Sequence, residues 1–409
     1  MAKKKSKANT SSKPKRRHRV SRTAPPHVAL IIETSTSFGR SLIRGVAQYA
    51  RENGPWSVYL EQRSIYDPAP PWLATWKGDG IISKAAYPEL AKIVVNTGIA
   101  TVDLNEQVLG LGLPTIYNDN EAIGRLAAEH LVERSFEKFG FLGHPGIYWS
   151  DHRRKGFEST INAFGFECDV YSSKQRQLRR YRHKSWENEM VNMTRWVKSL
   201  PKPVGVMAAN DFCAVQILDA CRRGSVPVPE HVAVIGVDNE SVAGELANPP
   251  LSSVVPNAKQ MGYEAAALLD RMMQGKAIDQ DSTFIPPVGV VTRKSTDIMA
   301  ITDKDVAMAA CFIRRHACDG INSYDVVRES AMSRSVLQRR FRTVLGRSIH
   351  DMIVATRMDR AKQLLRHTDL SLQDIADRVG IPHVEYLSTV FKKQTNQTVT
   401  EYRKTHRNN

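Results

Sequence analysis

Residues Ser371 to Tyr402 read SLQDIADRVG-IPH-VEYLSTVFKKQTNQTVTEY. The spacing predicts a helix, a tight turn and a second helix. Ser371 stands at an N-cap with Asp374 three residues on, the spacing of a capping box. Leu372, Ile375, Ala376 and Val379 recur at the period of a helix with one buried face. Gly380 ends that helix where positive φ is favoured, and Pro382 suits a first helical turn that lacks an N–H. Tyr386, Leu387, Val390 and Phe391 are expected to be buried in the second helix. His383, Val384, Glu385, Ser388 and Thr389 are expected off that face, with Lys392 and Lys393 closing it. Two short helices around a glycine turn form a helix-turn-helix, although one copy alone is also an ordinary helical hairpin.

A second copy lies upstream, SYDVVRESAMSRSVLQRRFRTVL, Ser323 to Leu345. Val326, Val327 and Ala331 are expected to pack its first helix. Ser333 would cap its second, burying Val336, Leu337, Phe341 and Val344 and turning Arg334, Ser335, Gln338, Arg339 and Arg342 outward. Between the copies, Ser348 to Arg366 predicts one long amphipathic helix, with Ile349, Met352, Ile353, Met358, Ala361, Leu364 and Leu365 inside. Two such units on one connecting helix resemble the AraC/XylS family of bacterial regulators. The family pattern I-A-x-x-x-G-F, F-K-K and T-P-x-x-Y-R is met by Ile375, Ala376, Gly380, Phe391, Lys392, Lys393, Thr398, Tyr402 and Arg403. Ile381, Leu387, Asn396 and Val399 depart from it. The resemblance implies an all-α DNA-binding domain over residues 305–406.

The distribution of charge agrees. The 409-residue chain carries a net +16. Residues 1–26 hold ten Lys/Arg and no acid, residues 301–409 are net +7, and residues 27–300 are net −1. Excess positive charge thus sits where phosphate backbone would be met. The 1–26 segment, basic and poor in apolar residues, is expected to be disordered. It reads equally as a DNA-tethering arm or a solubilising extension. It lacks an apolar core and so does not read as a secretory signal. No apolar run approaches a membrane span, so no membrane partner is expected. Five cysteines without CxxC spacing read as reduced thiols with no zinc site.

From His27 onward the pattern becomes β-α. Strands are expected at Val28–Glu33, Trp56–Glu61, Gly80–Ser83, Ala100–Leu104, Thr115–Asp119, Lys138–Leu142 and Cys168–Ser173, then in VGVMAAND and VAVIGVDN. Helices are expected at Gly39–Arg51, Asn120–Arg134, Arg153–Phe164, Trp186–Ser199 and Phe212–Arg223. Apolar strands alternating with helices imply parallel sheets covered on both faces, with ligands at the carboxyl ends of strands. The segments NDNEAIGRLAAEHL, DHRRKGF, AAND, PEHVAVIGVDN and LSSV…MGYEAAALL resemble the two-lobed, periplasmic-binding-protein-like sensor of LacI-type repressors, over residues 27–296. By that resemblance Arg153, Asn210 and Asp238 hydrogen-bond sugar hydroxyls, and Asp103 is a further sugar carboxylate. The loop bearing Ser37 and Phe38 supplies a stacking aromatic. The chemistry suits sugars independently: Asp accepts, Arg donates in a fork, Asn does both, and an aromatic covers the C–H face. Asp119, at the start of a helix, reads instead as a cap.

A connector, residues 297–304, would join sensor to reader. This order resembles the regulators of xylose operons. It implies a cytoplasmic, nucleoid-associated transcription regulator, an activator, with D-xylose as effector, operator DNA and RNA polymerase as partners, and a homodimer. Base or phosphate contacts are expected from Ser335, Gln338, Arg339 and Arg342 in one recognition helix. In the other they are expected from Val384, Glu385, Ser388, Thr389, Lys392 and Lys393. No cofactor, metal or catalytic residue is expected, since no Walker loop, GxSxG or HExxH occurs. A sugar-binding transport component and a sugar-acting enzyme stand as alternatives.

Overall fold

The computed structural model describes residues 24–407 except 66, 106, 108, 109, 172–182, 279–281 and 302. The basic segment up to residue 23 lies outside the described residues, as does the end of the strand expected at Cys168–Ser173.

In the first lobe, β1 (His27–Ile31) leads into α1 (Ser37–Asn53). β2 (Ser57–Leu60), β3 (Gly80–Ser83), α2 (Pro88–Asn96), β4 (Ala100–Asp103) and the short β5 (Ile116–Asn118) follow. The sheet is parallel in the order β2-β1-β3-β4. Its strand β1 is apolar from Val28 to Ile31 because both faces are covered there. Val28 and Leu30 pack into one core cluster, Ala29 and Ile31 into the other.

The second lobe repeats the plan. It contains α3 (Asn120–Val132), β6 (Phe139–Leu142), α4 (Tyr148–Ala163), β7 (Cys168–Val170), α5 (His183–Ser199) and β8 (Val204–Ala208). α6 (Asp211–Gly224), β9 (Val232–Val237), α7 (Ser241–Leu246) and β10 (Ser252–Val255) complete it. The chain returns to the first lobe as α8 (Ala258–Met273). β11 (Thr283–Ile285) then pairs with β5, and β12 (Gly289–Val291) joins the second sheet antiparallel to β10. That sheet runs β12-β10-β9-β8-β6-β7. In each lobe the order reverses beside the first strand, the switch point where α/β sheets bind ligands.

Glycines set the helix crossings. A Cβ on Gly124 of α3 would lie 2.0 Å from Arg153 O, and one on Gly156 of α4 would lie 2.1 Å from Glu121 O. Only bare backbone lets α3 and α4 touch there, and the contact fixes where Arg153 stands. Asp119 caps α3 by accepting from Ala122 N at 2.8 Å, as expected.

The rest is helical: α9 (Lys304–His316), α10 (Ser323–Glu329), α11 (Arg334–Leu345), α12 (Ile349–His367), α13 (Leu372–Arg378), α14 (Val384–Thr395) and α15 (Val399–Arg407). The capping box at Ser371 and Asp374 forms, and Gly380 adopts φ 69°. α12 buries all seven residues expected of it. Several expectations need correction. Ser333 occupies the N-cap of α11 but makes no capping bond. Ala331 is exposed because α10 ends at Glu329, and Val344 is exposed on α11. α4 begins at Tyr148 rather than Arg153. Tyr386 is 45% exposed while Val384 packs against the core of its own unit. Spacing of 384, 387 and 391 makes one helical stripe, and 386 falls off it.

The segment between the two parts alternates like a strand. Ile298 and Ala300 pack on the second-lobe core, and Met299 and Ile301 on the core of the first helix-turn-helix.

Candidate functional site

The expected sugar residues gather at the carboxyl ends of the strands in both lobes. Arg153 projects from α4 and is 4% exposed. Its Nε donates to Asn120 Oδ1 at 3.0 Å and its Nη1 to Ala209 O at 2.6 Å. The ring of Trp149 lies 4.9 Å from its guanidinium carbon. Its Nη2 faces Asp238 Oδ1 at 3.6 Å. That separation is a charge contact and not a hydrogen bond, so both groups retain capacity for a hydroxyl. Asp238 follows β9 with φ 104°, a backbone state costing on the order of 1–3 kcal/mol in a residue with a Cβ. Burial raises the Asp238 carboxyl, opposed by the charges of Arg153 and Lys84.

Asn210 is the N-cap of α6 and its Oδ1 accepts from Cys213 N at 2.8 Å. Only its amide NH₂ is left to donate to a ligand. Asp103 ends β4 at 1% exposure, with Oδ1 accepting from Ala85 N at 3.3 Å. Burial pushes its carboxyl up to about 7. The Lys84 charge opposes the upward push of burial on both Asp103 of the first lobe and Asp238 of the second. The Lys84 ammonium also stands 5.3 Å from the Phe38 ring centroid.

Sequence reading did not single out Lys84, Glu33, Glu240, Trp149 or Asp211 beside these residues. Lys84 is paired with buried Glu33 at 2.6 Å. Glu240 bridges the lobes: Ser37 donates its amide to Oε2 at 2.7 Å and its hydroxyl to Oε1 at 2.6 Å. Trp149 covers Arg153. Asp211 holds Glu240 by accepting from its amide at 2.7 Å, and also accepts from Ser253 Oγ at 2.7 Å. Burial, and then the facing Asp238, push Asp211 up to about 8. The signal available for Glu33, Lys84 and Glu240 was position alone, since each follows a strand at its carboxyl end.

On the helical part, α11 exposes Arg334, Ser335, Arg339 and Arg342, and α14 exposes Glu385, Thr389, Lys392 and Lys393. Gln338 and Ser388 lie half-buried on the flanks, and Val384 is turned inward. The two outward faces differ in charge. Cations dominate α11, whereas α14 carries Glu385 ahead of its lysines. Arginine offers bidentate donors to guanine, and a carboxylate accepts from the cytosine amine. Among the described residues no group of three or more His, Cys, Asp or Glu could hold a metal, and no helix is long and apolar enough to cross a membrane.

Comparison with known proteins agrees with this division. Residues 128–296 match the periplasmic binding protein-like domain family and residues 326–405 a helix-turn-helix domain family. The chain is 31% identical over 386 residues to the xylose operon regulatory protein of Escherichia coli (strain K12), spanning 92% of this chain and 96% of that one. Identity is 30% over 384 residues to the protein of the same name from Haemophilus influenzae, spanning 92% and 97%. A solved structure described as the xylose-binding transcription activator xylR aligns with TM-score 0.61 at 30% identity, covering 94% of this chain and 99% of that one.

Proposed function

This chain belongs to the family of xylose operon regulatory proteins, and we propose that it is a sugar-controlled activator of a xylose catabolic operon. It is a DNA-binding transcription regulator and not an enzyme. D-xylose enters the cleft between the lobes. Arg153 donates to adjacent hydroxyls, Asp238 and Asp103 accept from them, and the amide of Asn210 donates. Phe38, with Ser37 beside it, covers the ring's apolar face. The sugar ties the lobes together and adds to the Ser37–Glu240 bridge already present. A ligand shifts DNA binding only through unequal affinity for two conformations, so the closed sensor must be the one that suits operator DNA.

Each reader places α11 and α14 in successive major grooves, about 34 Å apart along the duplex. Ser335, Gln338, Arg339, Glu385, Ser388 and Thr389 supply base contacts. Arg342, Lys392 and Lys393 supply phosphate contacts. Two chains pair to present two readers, RNA polymerase is the downstream partner, and the protein works in the cytoplasm on nucleoid DNA.

The observation that supports this reading best is the convergence of Arg153, Asp238, Lys84 and Glu240 in one cleft, joined through a single connector to two helix-turn-helix units. Calorimetric titration of the full chain with D-xylose, D-ribose, L-arabinose and D-glucose tests it. Saturable binding led by D-xylose is expected, and D-xylose without a binding isotherm would overturn the effector assignment.

A further inference from the structure

The two helix-turn-helix copies correspond closely. Leu337 and Phe341 are buried in α11 as Leu387 and Phe391 are in α14. Gly346 and Asn396 end their helices at φ 66° and 56°. The pair Ser348–Asp351 opens the next helix in one copy, as Thr398–Glu401 does in the other. In this correspondence Arg340 stands where the second copy has Val390. Val390 packs against its own core. Arg340 instead reaches the start of α9, donating Nε to Asp303 Oδ2 at 2.7 Å and Nη2 to Asp303 Oδ1 at 2.5 Å. Its Nη1 lies 3.1 Å from Asp305 Oδ2 and 2.9 Å from Met332 Sδ. One guanidinium therefore holds the end of the connector, the first turn of α9 and the turn that precedes α11.

Asp303 is where the connector ends and α9 is capped, accepting from Asp305 N and Val306 N. Upstream, the connector is fixed to the sensor. Ala300 N donates to Arg134 O at 2.8 Å, and the Arg134 side chain is held by Thr296 O at 2.9 Å and His130 O at 2.8 Å. Arg315 pairs with Asp297 and Arg314 with Glu133. The connector's Met299 is buried in the cluster that contains Leu337 and Phe341 of α11. The cluster around Leu387 and Phe391 of α14 is a separate one, reached through α12 and through Cys318 beyond the far end of α9, not through the connector itself.

We propose that Arg340, through Asp303, is the positioning residue by which sugar binding sets the angle of the first recognition helix, so that α11 responds to the effector while α14 grips DNA constitutively. This rests on the functional reading above. A part-exposed ion pair adds little to folding stability. Its value here is directional, because a bidentate fork fixes orientation as well as distance. Movement of the connector is then delivered to α11 and only indirectly to α14.

The test uses the full chain, D-xylose, and a DNA duplex selected by the wild-type protein from a randomised pool. The readout is the ratio of DNA Kd without sugar to Kd with sugar, in wild type, Arg340→Val, Arg340→Lys, Asp303→Asn and the double variant Asp303→Asn with Arg340→Val. Arg340→Val installs the residue of the second copy, and Asp303→Asn keeps a good helix cap while removing the charge. In a coupled system the wild-type ratio lies at about 5–150, and Arg340→Val and Asp303→Asn are expected to bring it close to unity. Arg340→Lys should retain part of the response, and the double variant should be no worse than either single one. Hydroxyl-radical footprints should lose sugar-dependent protection only in the half contacted by α11. D-xylose affinity of the DNA-free variants should match wild type. An undiminished ratio, an equal loss of DNA affinity with and without sugar, or loss of protection in both halves would overturn the inference. A wild-type protein that ignores D-xylose would overturn the functional reading, and this inference with it.

Discussion

Asp103 carries a carboxyl almost wholly out of water, and burial raises it to about 7. Below a pH of about 4 both folded and unfolded chains hold this proton. Between that point and about 7 only the folded chain holds it, so stability drains as pH rises through this window. Asp103→Asn is expected to remove that slope. Urea unfolding at pH 5 and pH 8 should show the variant gaining on wild type at the higher pH, and parallel behaviour would contradict the burial argument. Arg153 is held by geometry, with acceptors already taking two of its nitrogens. Arg153→Met should weaken D-xylose by roughly 1.5–3 kcal/mol per charged hydrogen bond lost, read by calorimetry. Arg153 and Asp238 were legible because they sit in recognisable runs, DHRRKGF and VAVIGVDN. Lys84 and Glu240 were not, since a lone charge after a strand is as often a solvated loop residue. Only the folded chain shows that Glu240 meets Ser37 across the lobes.

At the scale of the element, the helix-turn-helix units were readable from caps, glycine and stripe. Gly380 illustrates why: its φ is 69°, and a Cβ there would lie 2.6 Å from Cys318 O. Gly380→Ala should destabilise the second unit by about 1–2 kcal/mol for the left-handed backbone alone, with the clash adding to that. Thermal unfolding checks this, and an unchanged midpoint would contradict it. What the pattern could not fix was rotation of α14 about its axis. Tyr386 and Val384 are both apolar-bodied residues near the helix start, and neighbouring turns decide which one is covered. On the outward faces, Arg339→Ala should cost about 1–3 kcal/mol and relax specificity at one base pair. Lys392→Ala should weaken all sequences alike and lower the salt slope by about 1. Salt-titrated binding to matched and mismatched duplexes separates the two roles.

At the scale of the whole molecule, β-α alternation gave the two covered sheets, and the shift in charge beyond residue 300 gave the DNA-reading part. How the parts touch was not in the pattern. Residues 298–301 look like an unremarkable linker in sequence, yet they alternate between the sensor core and the α11 core. Their period is that of a strand with two buried faces, too short to recognise without knowing that a second body covers the other side. The account's central claim is that sugar in the cleft controls the grip on DNA. It is tested most directly by fluorescence anisotropy of the selected duplex titrated with full-length protein, with and without saturating D-xylose, alongside Arg153→Met. The account predicts that sugar tightens wild-type binding at least about fivefold and leaves the variant unmoved. Superimposed wild-type curves would contradict it.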